Sequence, residues 1–114
     1  QLIGQYKTNI EMVIANSDSM ALGAIDAYEK LGYTESNIPV FFGIDGTDEG
    51  LEAVQKGKIA ATVYNDKEGQ AREMLNLAFV IATDGDKSDI PLIDGKYVRT
   101  PYHKLTLENI EESE

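Results

Sequence analysis

Three short apolar runs, each closed by Asn, Ser or Asp and separated by stretches of helical length, constrain this chain more than any other feature. Glu11-Met12-Val13-Ile14-Ala15 is the first and reads as a buried strand. Asn16-Ser17-Asp18 follows, and any of the three can cap a helix. From Asp18 to Leu31, apolar residues at Met20, Leu22, Ala24, Ile25, Tyr28 and Leu31 predict a helix with one wet and one buried face. Gly32 suits the left-handed position at its end. The unit then repeats. Pro39 to Ile44 is a second strand ending at Asp45, and Gly46-Thr47-Asp48 is a turn in which Asp48 is expected to cap a helix over Glu49 to Lys56. Leu51 and Val54 are expected to face inward, and Gly57 stops the helix. Ile59 to Tyr64 is a third strand, ending at Asn65-Asp66. Strand, helix, strand, helix, strand with connections this short predicts an α/β fold: a parallel sheet, right-handed crossovers and flanking helices.

The remainder is less repetitive. A helix is expected from about Lys67 to Thr83, with Ala71, Met74, Leu75, Ala78, Ile81 and Ala82 as its apolar stripe. Asp94-Gly95, set between Pro91-Leu92-Ile93 and Lys96-Tyr97-Val98-Arg99, predicts a hairpin. The tail from Leu105 is expected to begin a helix at Thr106.

Composition removes several functions. At 114 residues the chain is long enough for one small domain, and 42% apolar residues can build a core. A net charge of -10, with ten scattered basic residues, argues against nucleic acid as a partner. Without cysteine there are no disulfides, thiolate metal sites or cysteine nucleophiles. No apolar run approaches the roughly 20 residues that cross a bilayer. The opening Gln1-Leu2-Ile3-Gly4, with neither an initiator Met nor a signal peptide, leads to the expectation of a mature-protein fragment whose targeting segment lies upstream.

If the three strands are parallel, the polar residues that end them share one edge of the sheet: Asn16, Ser17 and Asp18, then Asp45, then Asn65 and Asp66. Ligands of open α/β sheets bind outside that edge. Hydroxyl, carboxylate and amide groups together suit a partner rich in hydroxyls. Asn, Ser and Asp after a strand also serve as helix caps, and Asp18, Asp48 and Asp66 are read that way. Asp45 precedes the expected cap and stands out as a binding residue. Signals for catalysis are weak. Asp45 has no evident second acid, His103 is the single histidine, and no Gly-x-Ser-x-Gly, phosphate loop or histidine pair occurs. Gly43-Ile44-Asp45-Gly46 lacks dinucleotide-fingerprint spacing, and Asp84-Gly85-Asp86 lacks the distal Glu of a calcium loop.

These segments resemble a known family. Met12 to Ala24, reading MVIANSDSMALGA, is similar to the IANNDxMAxGA segment of periplasmic sugar-binding proteins of ABC transporters. Pro39 to Gly46 resembles their PVxGxDG strand, Ala60 to Asp66 their AGTVLND strand, and Val98 to Tyr102 their VRVPY segment. Order and spacing resemble the galactose/glucose-binding type over nearly the whole chain. The resemblance implies a periplasmic binding protein-like I fold, flavodoxin-like in each lobe and here truncated. It implies a non-enzymatic receptor that closes two lobes on a monosaccharide and delivers it to a membrane permease. Asp45 and Asn65 match the family's sugar ligands. Ser17 stands where the family has an Asn, which leaves the sugar open. Tyr64, Asn65, Pro101 and Tyr102 match two hinge crossings. Residues 1–64 then belong to the C-terminal lobe, residues 65–100 to a crossing plus a helix and hairpin of the N-terminal lobe, and residues 101–114 return.

Glu11 falls where galactose-binding relatives place a calcium ligand. The rest of that site would lie upstream, so calcium is expected only in a full-length protein, and no other cofactor is implied. The implied location is periplasmic or extracellular, with or without a lipid anchor upstream. A chain cut in this way is expected to self-associate, because it leaves sheet edges and the 67–83 helix uncovered. The effector domain of a LacI-type transcription regulator shares the fold and the Asn-Asp-Met-Ala run, and is the alternative reading. A sugar-acting enzyme is a distant third.

Overall fold

The computed structural model describes residues 1–110, which form two compact units. The first comprises residues 1–65 and the chain from His103 on; the second comprises Asp66–Tyr102. The chain passes between them after Asn65 and after Tyr102.

In the first unit a short helix α1 (Leu2–Tyr6) and a 3-10 turn (Lys7–Asn9) precede β1 (Met12–Ile14). There follow α2 (Asp18–Lys30), β2 (Val40–Phe42), α3 (Asp48–Gln55) and β3 (Ala61–Asn65). After α4 (Lys67–Ala82), which belongs to the second unit, the chain returns as β4 (Tyr102–Thr106). The sheet order is β1-β2-β3-β4. β1 pairs with β2 in parallel, Met12 opposite Val40 and Ile14 opposite Phe42, and β2 pairs with β3 in parallel, Phe42 opposite Ala61. Asp45 and Tyr64 extend that pairing in the same register as an isolated parallel bridge. The α/β fold with a parallel sheet and flanking helices is the one its alternating pattern implied.

The core lies on one side of this sheet, where Ala21, Ile25 and Tyr28 of α2 meet Phe41, Ala53, Val54 and Ile59. Tyr28 packs edge-on against Tyr33 at 5.2 Å and Phe41 at 5.9 Å between ring centroids, a geometry that the ring quadrupoles favour. Three details differ from the sequence expectation. β1 is an edge strand rather than a buried one: Met12 and Ile14 are 54% and 71% exposed, because alternation turns only Val13 toward the core. On α2 the buried stripe is Asp18, Ala21, Ile25 and Tyr28, while Met20 and Leu31 are exposed. The 3.6-residue period cannot bring both sets to one face. Thr106 ends β4 and is followed by a turn over residues 107–109, so no helix starts there. The Asn109 amide oxygen accepts from the Thr106 N–H at 2.7 Å and closes that turn. The rest of the expected tail helix, residues 111–114, lies outside the described residues.

In the second unit, Asp66 caps α4 by accepting from the Gly69 N–H at 2.9 Å. The expected stripe on α4 is exposed, with Met74, Leu75 and Ile81 all open to solvent, as is Phe79 beside it. Asp94-Gly95 makes its turn with both φ angles positive, 53° and 65°, but only one antiparallel bridge, Ile93 to Tyr97, follows from it.

Candidate functional site

The carboxyl ends of β1, β2 and β3 lock together through main-chain hydrogen bonds. Ala15 N–H donates to Phe42 O at 2.9 Å and Asp18 N–H to Ile44 O at 2.8 Å. One strand over, Asp45 N–H donates to Val63 O at 2.8 Å and Asn65 N–H to Asp45 O at 3.2 Å. Three sequence-selected residues therefore sit on one rim of the first unit: Asp45 and Asn65 are joined directly, and Ser17 immediately precedes Asp18, which is bonded to the residue before Asp45. All three are half-buried.

Asp45 is held in an unusual backbone. Its φ is 111°, a region that side-chain-bearing residues rarely occupy. Gly46 follows with φ 66°, and a Cβ there would stand 2.8 Å from the Tyr64 ring and 3.0 Å from its Cα. Only glycine lets the turn run this close to β3. The Asp45 carboxylate has no hydrogen-bond or ion-pair partner among the described residues. A half-buried carboxylate without a protein partner, on a strained turn at a sheet's carboxyl edge, has lone pairs with which to accept hydroxyl protons.

Ser17 already has a task. Its hydroxyl accepts from the Met20 N–H at 3.3 Å, capping α2, and lies 3.2 Å from Ser19 Oγ. Asp18 is not the cap it was expected to be. It is 0% exposed, and its carboxylate accepts from Thr47 N–H at 2.9 Å, Thr47 Oγ1 at 3.3 Å and Thr62 Oγ1 at 2.6 Å. Asp48 is not a cap either: Thr47 caps α3, its hydroxyl accepting from Gly50 N–H at 3.1 Å while donating to Asp18. Thr's Oγ can donate and accept at once, which a carboxylate cannot.

Sequence reasoning read Asp18 as a cap and passed over Thr47 and Thr62. A signal existed: Asp18 falls on the same helical stripe as Ala21, Ile25 and Tyr28, and a carboxylate on a buried face has to be paired. The remaining sequence-selected residues are simply placed. Tyr64 and Asn65 end β3, Pro101 precedes β4 and Tyr102 begins it. Tyr64 lies beside His103, ring centroids 6.5 Å apart. Glu11 is exposed just before β1, its carbonyl accepting from Val40 N–H at 3.0 Å. Among the described residues no three His, Cys, Asp or Glu side chains gather as a metal site. A groove of 380 Å³ lies at the opposite edge of the first unit, beside Lys56 and Lys58, and another of 510 Å³ in the second unit, beside Glu73 and Arg99. The rim residues line neither. Among the described residues no helix is long and apolar enough to cross a membrane.

A parallel α/β unit carrying hydroxyl, carboxylate and amide groups on its carboxyl rim has the architecture of open sheets, whose ligands bind outside that edge. Comparison with known proteins makes this specific: residues 1–87 match the periplasmic binding protein domain, and the chain belongs to that family, one of binding proteins and not of enzymes. It is 34% identical over 107 residues to the D-galactose/methyl-galactoside binding periplasmic protein MglB of Haemophilus influenzae, an alignment covering 90% of this chain and 30% of that protein. It is 44% identical over 55 residues to the ribose import binding protein RbsB of Escherichia coli, covering 48% of this chain and 18% of the relative. Among solved structures it resembles an ABC transporter solute binding protein from Bacillus halodurans with bound myo-inositol, at 38% identity and TM-score 0.73, covering 90% of this chain and 32% of that one. The chain thus spans about a third or less of the length of these relatives.

Proposed function

We propose that this chain supplies one wall of a monosaccharide site in a receptor that delivers sugar to the permease of an ABC transporter. The observation that supports it most is the junction of Asp45 and Asn65 on one rim, with the Asp45 carboxylate unpartnered. Asp45 would accept two vicinal hydroxyl protons, the Asn65 amide would donate and accept, and Ser17 would add a hydroxyl whose lone pair also caps α2. The ligands named for the relatives are polyols: galactose and methyl-galactoside, ribose, and myo-inositol. Adjacent ring or chain hydroxyls are what they share.

On this reading residues 1–64 belong to the C-terminal lobe, residues 65–100 cross to the N-terminal lobe as a hinge, helix and hairpin, and residues 101–114 return. Tyr64, Asn65, Pro101 and Tyr102 are the hinge positions where lobe closure is absorbed. The receptor works in the periplasm or outside the cell.

Calorimetric titration of the whole protein with D-galactose, D-glucose, D-ribose and myo-inositol tests the site. Asp45→Ala is expected to weaken the preferred sugar by about 2 kcal/mol, or roughly 30-fold, through loss of a charged acceptor. Unchanged affinity would remove Asp45 from the site.

A further inference from the structure

The geometry points to Asp18 as a positioning residue that sets the binding rim by gripping the chain on both sides of Asp45. The inference rests on the reading above, in which Asp45 and Asn65 meet the sugar; Asp18 itself is fully buried. Its main-chain N–H donates to Ile44 O at 2.8 Å, one residue before Asp45. Its Oδ2 accepts from Thr47 N–H at 2.9 Å, two residues after Asp45. The two residues held in between, Asp45 and Gly46, both have positive φ, 111° and 66°. Such a backbone persists at a side-chain-bearing residue only where its surroundings over-determine it.

The other carboxylate oxygen completes the frame. Oδ1 accepts from Thr62 Oγ1 at 2.6 Å, three residues before Asn65. One side chain therefore ties the turn that carries Asp45 to the strand that carries Asn65, and sits next in sequence to Ser17. The fit depends on two missing methyl groups. A Cβ on Gly43 would lie 2.1 Å from Asp18 Oδ1, and one on Gly50 2.2 Å from Oδ2. No cation faces the carboxylate among the described residues; its charge is met by one main-chain N–H, two hydroxyls and the first turn of α2. Core filling alone does not call for a carboxylate here, since a buried one must be matched by partners such as Thr47 and Thr62. Helix capping does not call for it either, since Ser17 does that. What the carboxylate uniquely supplies is a fixed geometry between Asp45 and β3.

The test is a double-mutant cycle in the whole protein, native, Asp18→Asn, Asp45→Asn and both, titrated with D-galactose, D-ribose and myo-inositol. Asn keeps the volume and one acceptor but cannot accept on both sides. Asp18→Asn is expected to weaken the tightest of these sugars about tenfold, and to have no further effect once Asp45 has lost its charge. Equal losses in both backgrounds would overturn the inference and leave Asp18 a folding residue alone. The three-bond HN–Hα coupling of Asp45, which reads φ without any sugar present, is expected to change in Asp18→Asn; an unchanged coupling would overturn the inference whether or not the sugars bind. Full affinity in Asp45→Asn together with a shifted coupling in Asp18→Asn would sink the sugar assignment while sustaining the positioning role. Should Asp18→Asn fail to fold, Thr47→Ser is expected to keep native affinity and Thr47→Val to lose several-fold, because only the first retains the hydroxyl that Asp18 accepts from; equal affinity in both would overturn the inference.

Discussion

The Asp18 carboxylate and the Thr62 hydroxyl meet at 2.6 Å across 44 positions of sequence, inside the first unit. Neither residue is exposed, and no apolar contact substitutes for the pair: Thr62 would otherwise bury an unpaired hydroxyl and Asp18 an under-bonded charge. The consequence is an unusually strict steric requirement around one side chain.

Gly50→Ala is expected to destabilise the protein by about 1–3 kcal/mol, because its methyl would drive into Asp18 within a close-packed core. Gly23→Ala, on the exposed face of α2 with nothing within 4 Å of the added methyl, is expected to stabilise by about 0.5–1 kcal/mol. Urea denaturation of the two variants checks the contrast, and equal effects would contradict the packing described.

Thr47 and Asp48 should exchange the importance that their residue types suggest. Thr47→Val removes the α3 cap and an Asp18 partner together, and is expected to cost about 2 kcal/mol. Asp48→Ala, at an exposed position in the first turn, is expected to cost only a few tenths of a kcal/mol, about the size of a helix-dipole effect. Thermal melts of both variants decide between them.

Tyr28 is buried with its hydroxyl unpartnered, so Tyr28→Phe is expected to leave stability unchanged or raise it by about 1 kcal/mol. Burial, with Tyr33 beside it, holds the phenol above its ordinary value of 10.0. A raised folded-state value means that the folded protein keeps the proton longer than the unfolded chain. The stability this brings is complete below pH 10 and is lost as pH climbs through the folded value. Alkaline unfolding followed by circular dichroism should therefore begin at higher pH in Tyr28→Phe, and an earlier onset would contradict the assignment.

The 114-residue chain taken alone is expected to associate as its concentration rises. Met12, Ile14 and Val40 lie exposed on the first unit, and Met74, Leu75 and Phe79 on α4 in the second. Multi-angle light scattering that returned the single-chain mass at every dilution would refute this.

Much of the fold was legible because it depends on local pattern. The run Met12–Ile14, the helix that begins at Asp18 and the Asp94-Gly95 turn each announce themselves within a dozen residues. Asp45 and Asn65 could be brought together from sequence because parallel strands must end at one edge, and the register of Asp45 with Tyr64 bears out that juxtaposition. The division of labour among Ser17, Asp18, Thr47 and Asp48 was not legible. Ser, Thr and Asp are interchangeable as caps by residue type, and which of them turns inward depends on partners far along the chain.

The sequence by itself determined the parallel α/β order, the polar rim and the family to which the chain belongs, since periodicity and short motifs carry these. Only the tertiary structure decided that β1 is an edge, that Asp18 is buried and that Asp45 sits at φ 111°. Those outcomes rest on hydrogen bonds between Asp18, Thr47 and Thr62, and on space left by Gly43 and Gly50. Contacts between distant segments exist only once the sheet has formed, so no local pattern can specify them.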